Sequence, residues 1–256
     1  MADKEKAVLV LGMFDGVHVG HRTLVERAKH LAAALDASCT AYTFSNHPAE
    51  LIGKSVRLLC TMEEREYLLK DCGADSVFME AFTKELMHMA PEAFIDMLLS
   101  RWDVQGLVAG FNFTFGDRGA GNAETLQEFG RKKGFIVRIQ PAVAVDGETV
   151  SSTGIRRQLE AGDVMRAAQF LGRCYTLSGT AVQTEGEILR IRPDASLAIP
   201  GEGLYRTQIL TENGTFDAVT KTYPMDGFAE CMASGLRPVT DGSDAMIVFR
   251  SAYGTV

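Results

Sequence analysis

Apolar runs and amphipathic segments alternate over the first two-thirds of the chain, and the alternation stops near Arg173. Short continuous apolar runs such as 7–11 (AVLVL) predict strands that are buried on both faces. The segments between them, such as 19–35, repeat apolar residues at helical spacing. The predicted strands are 7–11, 39–44, 75–82, 106–111 and 135–140. This strand–helix order predicts an α/β fold with a parallel sheet and helices on both faces, which binds ligands beyond the carboxyl ends of its strands.

The last 80 or so residues carry a different pattern of short strand-like runs without helical periodicity. These runs are 175–182, 187–192, 196–199, 204–210, 216–223 and 245–250. The dipeptide Asn213-Gly214 between two of them is a strong hairpin signal. We therefore predict a first domain over residues 1–174 and a small all-β, barrel-like domain over residues 175–256.

Composition limits the classes of function. The net charge of -7 and the pI of about 5.3 argue against a general nucleic-acid partner, which needs a basic surface. No apolar run approaches the roughly 18 residues of a membrane span, so we expect no membrane partner. The five cysteines are scattered without a CxxC motif, which predicts reduced thiols and a cytoplasmic protein. The pattern predicts no particular oligomeric state.

The stretch GMFDGVHVGH, residues 12–21, follows the first predicted strand and allows four interpretations. A dinucleotide fingerprint is excluded because the glycines stand four residues apart instead of forming GxGxxG. A P-loop built on residues 53–55 (GKS) is excluded because Pro48 occupies the position of its earlier glycine. A zinc site on His18 and His21 lacks a third ligand at a recognisable spacing. The fourth interpretation is a phosphate site at a helix N-terminus.

The phosphate interpretation has the strongest physical basis. Free backbone N–H groups and the helix dipole attract an anion, and glycines allow phosphate to approach the backbone closely. His18 and His21 would donate hydrogen bonds at the mouth of this site. The alternative is that one histidine only caps the helix or packs inside. Two histidines directly after a buried strand and a glycine turn favour the phosphate site.

The motif HVGH, residues 18–21, resembles the HxGH signature of the nucleotidyltransferase superfamily. The longer stretch resembles the form found in prokaryotic FAD synthetases, the bifunctional riboflavin kinase/FMN adenylyltransferases. Three further segments resemble that family in the right order: TFSNHP (43–48), GFNFTFG (110–116) and SSTGIR (151–156). The resemblance covers residues 7–182 and implies a Rossmann-like nucleotidyltransferase domain followed by a kinase-type barrel.

The resemblance also implies a reaction. An FMN phosphate oxygen attacks the α-phosphorus of ATP, which forms FAD and releases pyrophosphate, with Mg²⁺ accompanying the ATP. The implied catalytic residues are His18, His21 and Arg156, the last of which would hold the leaving pyrophosphate. The implied ATP-binding residues are Gly12, Phe14, Asp15, Gly16, Ser151, Ser152 and Thr153, and the implied flavin-binding residues are His47, Pro48, Phe111 and Asn112. No protein ligand is assigned to the metal.

Two of these assignments have plainer alternatives. Asp15 is at least as well explained as a tie within the glycine turn as by a nucleotide contact. Taken alone, SSTGIR is an ordinary helix start with a Ser or Thr cap. Its pairing with HVGH favours a second phosphate clamp.

The sequence departs from the family at two places. Asn112 stands where the family usually has Asp, a change that removes an anion and adds a donor. The PTAN motif of the family's kinase domain is missing, and the chain reads RIRPDASLAIPGEG over residues 190–203. We therefore expect an FMN adenylyltransferase without riboflavin kinase activity. The alternatives are an adenylyltransferase for another phosphorylated acceptor and a non-catalytic flavin- or nucleotide-binding protein.

Overall fold

The computed structural model describes residues 4–253, and it describes residues 183–185 by their backbone alone. The first two-thirds of the chain form alternating strands and helices, as the pattern predicts. Their bounds are β1 Lys6–Leu11, α1 Val19–Ala34, β2 Ser38–Phe44, α2 Met62–Asp71, β3 Ser76–Glu80, α3 Lys84–Met87, α4 Pro91–Arg101, β4 Asp103–Gly110, α5 Ala123–Lys133 and β5 Ile136–Gln140. Each predicted strand corresponds to an observed one, and only the ends differ.

The five strands form one parallel sheet in the order β3-β2-β1-β4-β5, which confirms the predicted α/β architecture. Side chains of β1 alternate between two hydrophobic cores, because successive residues of a strand point to opposite faces. Leu9 and Leu11 pack into the core that also contains Phe94 of α4. Val8 and Val10 pack into the core that contains the buried face of α1. Burial on both faces explains why the β1 sequence is apolar without interruption.

The strand order reverses at β1. The chain proceeds from β1 to β2 and β3 on one side, then crosses over to β4 and β5 on the other. Leu11 at the end of β1 lies opposite Ala109 near the end of β4. A crevice beyond the carboxyl ends of two such strands is where open α/β sheets bind their ligands. The segments that follow β1 and β4 therefore occupy the preferred ligand position of this fold.

The remaining elements include a closed antiparallel barrel in the order β10-β11-β12-β9-β8-β13, as predicted for this part of the chain. Their bounds are β6 Ala144–Val145, β7 Glu148–Thr149, α6 Ser152–Glu160, α7 Val164–Leu171, β8 Thr176–Glu185, β9 Ile188–Pro193, β10 Gly203–Thr211, β11 Gly214–Tyr223, β12 Phe228–Met232 and β13 Asp244–Ala252. The predicted hairpin is confirmed, with Glu212 and Asn213 in the loop and Gly214 at a φ of 120°.

Two expectations for the barrel were wrong. The run 196–199 is not a strand: Leu197 makes a single bridge to Leu58 and is fully buried. Strand β12 was missing from the predicted runs because FAECM is short and contains Ala and Glu, which are depleted in strands. Pairing with β11 and β9 on both sides makes it a strand.

The chain divides into two compact units. One comprises the residues up to Val56 together with Met62–Ala144, and the other comprises Arg57–Thr61 and the chain from Val145 onward. These compact units are defined by packing and do not test the boundary that the sequence pattern predicts. The domains 1–174 and 175–256 therefore stay a prediction. Within residues 4–253, no helix combines the length and the apolar character that crossing a bilayer requires.

Candidate active site

The loop between β1 and α1 is strained. Three of its residues, Phe14, Gly16 and Val17, have φ angles of 52°, 77° and 38°, in the left-handed region that favours glycine. Backbone hydrogen bonds fix its two ends, from Gly12 N–H to the Tyr42 carbonyl at 3.2 Å and from Val17 N–H to the Phe14 carbonyl at 3.1 Å. Non-glycine residues keep such angles only when the surrounding structure imposes them, and functional sites are where such strain clusters.

The Phe14 ring explains the first glycine of the motif. This ring is fully buried and folds back over the backbone at Gly12, where a Cβ atom would lie 3.0 Å from two ring carbons. Its edge meets the His21 ring, with the centroids 5.2 Å apart. The Phe14 side chain therefore packs in the core.

The Met13 carbonyl points into the protein, where it accepts hydrogen bonds from Thr43 Oγ1 at 3.0 Å and Arg65 Nη1 at 3.4 Å. The Met13–Phe14 peptide is trans, so its N–H points opposite to its carbonyl. Within the part of the chain that the structure describes, this Phe14 N–H has no hydrogen-bond partner. It is thus an unpaired backbone donor next to the switch point of the sheet, and Phe14 as a whole, backbone included, is fully buried.

His18 is the N-cap of α1. Its Nδ1 accepts a hydrogen bond from the backbone N–H of His21 at 3.3 Å. In a neutral imidazole with Nδ1 as acceptor, the proton resides on Nε2, which leaves Nε2–H as a donor. A Cβ atom at Gly20 would lie 3.2 Å from His18 Cε1, so the glycine of HxGH makes room for this ring. The capping alternative is confirmed for His18.

The ring of His21 stacks on that of His18, with centroids 3.6 Å apart and an interplanar angle of 13°. Burial holds the pKa of His21 well below its usual value of 6.5, and the charges of His18 and Arg65 lower it further. Its Nδ1 is buried without a hydrogen-bond partner among residues 4–253. His21 is therefore neutral at pH 7 and interacts with an anion as a hydrogen-bond donor, not as a cation.

His47 and Pro48 follow β2, the neighbour of β1. The Nδ1 of His47 accepts the Ala49 N–H at 3.1 Å, and the Glu50 carboxylate accepts the His47 N–H at 3.4 Å, which forms a capping box. Asn46 binds the backbone N–H and carbonyl of Phe82 at 2.8 and 3.0 Å. These bonds hold the TFSNHP segment at the carboxyl edge of the sheet.

The three alternating aromatics after β4 have different environments. Phe115 is buried against Phe94 and stacks on the half-buried Phe113, with centroids 5.7 Å apart. Phe111 is 52% exposed, and its N–H donates to the Gln140 carbonyl at 2.9 Å. The neighbouring Asn112 is also exposed. Phe111 thus offers an apolar face beside the switch point, whereas the other two rings support the loop from within.

The SSTGIR segment begins α6 in the second compact unit. Ser151 is its N-cap and accepts the Gly154 N–H at 3.1 Å, which confirms the capping alternative for this residue. Ser152 and Thr153 form the first turn of the helix. Arg156 donates from Nε to the Arg57 carbonyl at 2.6 Å. That Arg156 acts on the same ATP as the two histidines stays a prediction.

Arg65 is the residue at this loop that sequence reasoning missed. Its segment, EEREYLLK, reads as the polar part of an amphipathic helix. The available signal was its position three and four residues before the apolar pair Leu68 and Leu69, on the same helix face. The structure buries it completely.

No cluster of three or more His, Cys, Asp or Glu side chains suited to a metal ion occurs within the described part of the chain. Asp15 lies in the loop and is 2% exposed. That Mg²⁺ accompanies the ATP stays a prediction.

A parallel α/β sheet with a histidine-capped, glycine-containing loop after its first strand is the arrangement that the HxGH resemblance implies for a nucleotidyltransferase. The FAD synthetase family matches residues 1–154, and the chain belongs to this family of enzymes. The chain is 31% identical over 220 residues to the bifunctional riboflavin kinase/FMN adenylyltransferase of Listeria monocytogenes, which covers 81% of this chain and 69% of that protein. The protein of the same name from Bacillus subtilis is 30% identical over 70% of this chain and 58% of its own length.

The relative of the same name in Escherichia coli K12 is 28% identical over 82% of this chain and 70% of that protein. Among solved structures, the chain is similar to a crystal structure titled as a macrolide-efflux protein from Streptococcus pneumoniae. The TM-score is 0.87 at 23% identity, over 96% of this chain and 85% of that one. At this identity the likeness shows a shared fold.

Proposed function

We propose that the protein is an FMN adenylyltransferase that forms FAD and pyrophosphate from FMN and MgATP. The single observation that carries this proposal is the set of donors at the end of β1. The Nε2–H of His18, the ring of His21 and the unpaired N–H of Phe14 all belong to residues 14–21, the β1–α1 loop and the first turn of α1. The family membership and the names of the relatives support flavin mononucleotide as the acceptor.

These donors suit phosphoryl chemistry without a covalent enzyme intermediate. The FMN phosphate oxygen forms a new P–O bond to the α-phosphorus of ATP, and the bond to the β-phosphate oxygen breaks. Negative charge then increases on the bridging oxygen of the leaving pyrophosphate. Hydrogen-bond donors fixed before the reaction stabilise that charge without reorganising. Two stacked imidazoles and a strained backbone provide such fixed donors.

The remaining residue roles belong to the same proposal. Ser152, Thr153 and Arg156 would bind the outer phosphates, with Arg156 on the leaving group. On the flavin side, the exposed ring of Phe111 would stack on the isoalloxazine, and His47, Pro48 and Asn112 would complete the pocket. Gly12, Asp15, Gly16 and Ser151 would shape the backbone around the nucleotide. None of the five cysteines, all of which the structure describes, forms a disulfide, which fits action in the reducing cytoplasm.

We further propose that the protein lacks riboflavin kinase activity. Residues 190–203 contain neither Thr nor Asn, the two side chains that the family's PTAN motif supplies. In this segment Asp194 Oδ1 accepts both the N–H and the hydroxyl of Ser196 at 2.7 Å, so these polar groups stabilise a local turn. The next residue, Leu197, is fully buried in the same compact unit.

The test is chromatography of products from two parallel reactions. With FMN, ATP and Mg²⁺ we expect FAD and an equal amount of pyrophosphate, and with riboflavin in place of FMN we expect no FMN. Formation of FMN from riboflavin would refute the second proposal alone. Pyrophosphate release with another phosphorylated acceptor but not with FMN would refute the choice of acceptor. ATP binding without any release would favour the non-catalytic alternative.

A further inference from the structure

Arg65 of α2 is a fully buried cation beside the β1–α1 loop. Its Nη1 donates to the Phe44 carbonyl at 2.7 Å and to the Met13 carbonyl at 3.4 Å. Its Nε and Nη2 are buried without partners among residues 4–253, and no described carboxylate pairs with it. Burying a charge without a counter-charge is costly, so such a residue calls for an explanation beyond packing.

The two acceptors of Arg65 lie at the ends of adjacent strands. Phe44 is the last residue of β2, and Met13 follows the end of β1 by two positions. One guanidinium nitrogen therefore ties the β1–α1 loop to the end of β2. Thr43 of β2 supplies the second hydrogen bond to Met13, from a side chain that is also fully buried.

These bonds act on the strained part of the loop. The Met13 carbonyl belongs to the peptide whose N–H is that of Phe14, and Phe14 has the positive φ of 52°. Rotation of this peptide would relieve strain, but it would change the shape of the loop that leads to the His18 cap. The two donors hold the carbonyl and thereby oppose the rotation.

We propose that Arg65, together with Thr43, is a positioning residue that holds the strained β1–α1 loop in its phosphate-binding conformation. This inference rests on the proposed function only in taking ATP as the bound nucleotide, and it does not depend on FMN being the acceptor. An arginine suits the task because it is permanently charged and its Nη1 carries two N–H groups in fixed directions, one for each carbonyl. A lysine ammonium would keep the charge with weaker control of both acceptors.

The experiment compares Arg65→Met, Arg65→Lys and Thr43→Val with the matched control Thr40→Val. Thr40 is equally buried on the same strand, and its hydroxyl bonds to Ser76 at 2.9 Å, away from the loop. Calorimetry with MgATP and with pyrophosphate gives affinities. Spectra of protein labelled with [¹⁵N]Phe report the response of the Phe14 amide to pyrophosphate, and thermal melts report stability.

We expect Thr43→Val and Arg65→Met to bind MgATP about tenfold more weakly and to lose the Phe14 amide response. Arg65→Lys should lose less affinity for MgATP, about threefold. Thr40→Val should melt as early as Thr43→Val but bind MgATP normally, and the KM for FMN should stay within about twofold in all of them. If Arg65→Met fails to fold, Arg65→Lys and Thr43→Val carry the test.

Normal affinity and a normal Phe14 response in Arg65→Lys and Thr43→Val would overturn the proposal, as would an equal loss in Thr40→Val. Failure of the proposed function gives a different result. Wild type would then bind MgATP but release no pyrophosphate with FMN, and the variants would still bind MgATP more weakly than wild type in the expected order. A wild type that binds neither MgATP nor pyrophosphate would overturn both.

Discussion

His18 Nδ1 accepts the backbone N–H of His21 at 3.3 Å, and the two rings stack 3.6 Å apart. One histidine thus caps the helix through Nδ1, and in its neutral form the proton then resides on Nε2. Capping and phosphate binding would use different nitrogens of the same side chain. The cap uses Nδ1 as an acceptor, and this determines that Nε2 carries the proton.

Variants of His18 can separate helix capping from phosphate binding. Asn is a good N-cap but has no donor at the position of Nε2, whereas Ala loses both functions. We expect each variant to lose roughly 10²–10³ in the rate of pyrophosphate release. His18→Asn should keep the thermal stability that His18→Ala loses, about 1 kcal/mol. A near-normal rate in His18→Asn would show that His18 only caps the helix and takes no part in the reaction.

Gly20 should be required for rate more than for stability. Ala at this helical position gains about 0.5–1 kcal/mol of helix propensity, but its Cβ would lie 3.2 Å from the His18 ring. The ring must then shift, and we expect Gly20→Ala to lose about tenfold in kcat with an unchanged or higher melting temperature. Glu26→Ala, at an exposed position of the same helix, is the control. An unchanged kcat would mean that the ring tolerates the methyl group.

The lowered pKa of His21 predicts a loss of stability in mild acid. The unfolded chain takes up a proton near pH 6.5 and the folded chain only at lower pH, so the unfolded state binds more protons in between. Stability should therefore fall as the pH drops below 6.5, by up to about 1.4 kcal/mol per pH unit, until the folded pKa is reached. Urea unfolding of wild type and His21→Gln from pH 5 to 8 measures the difference, and parallel curves would contradict the prediction.

Phe111 should affect flavin binding alone. Its ring is half exposed, so Phe111→Ala should leave the melting temperature nearly unchanged. Loss of one aromatic stacking contact should raise the KM for FMN about tenfold without changing the KM for ATP. Phe113→Leu, which alters the half-buried neighbour, should change stability and not the KM for FMN. A rise in the KM values for both FMN and ATP in Phe111→Ala would contradict a role of this ring in flavin binding alone.

Local patterns were sufficient for most of the fold. The apolar run of β1, the amphipathic stripe of α1 and the Asn213-Gly214 turn each predicted an element that the structure contains, because backbone preference and side-chain period are properties of neighbouring residues. The run 196–199 misled because its apolar residues fill a core beside Leu58 instead of pairing along a strand. Strand β12 was missed because only its two partner strands make it one.

The sequence by itself determined the parallel sheet, the barrel and the identity of the loop that follows β1, since motif and period are written in consecutive residues. Only the tertiary structure decided that Phe111 lies exposed while Phe115 lies buried, that the His18 cap leaves Nε2 as a donor, and that Arg65 reaches the Met13 carbonyl. The physical reason is that burial, tautomer and hydrogen-bond partner depend on groups far apart in the chain, and these meet only when the sheet has assembled.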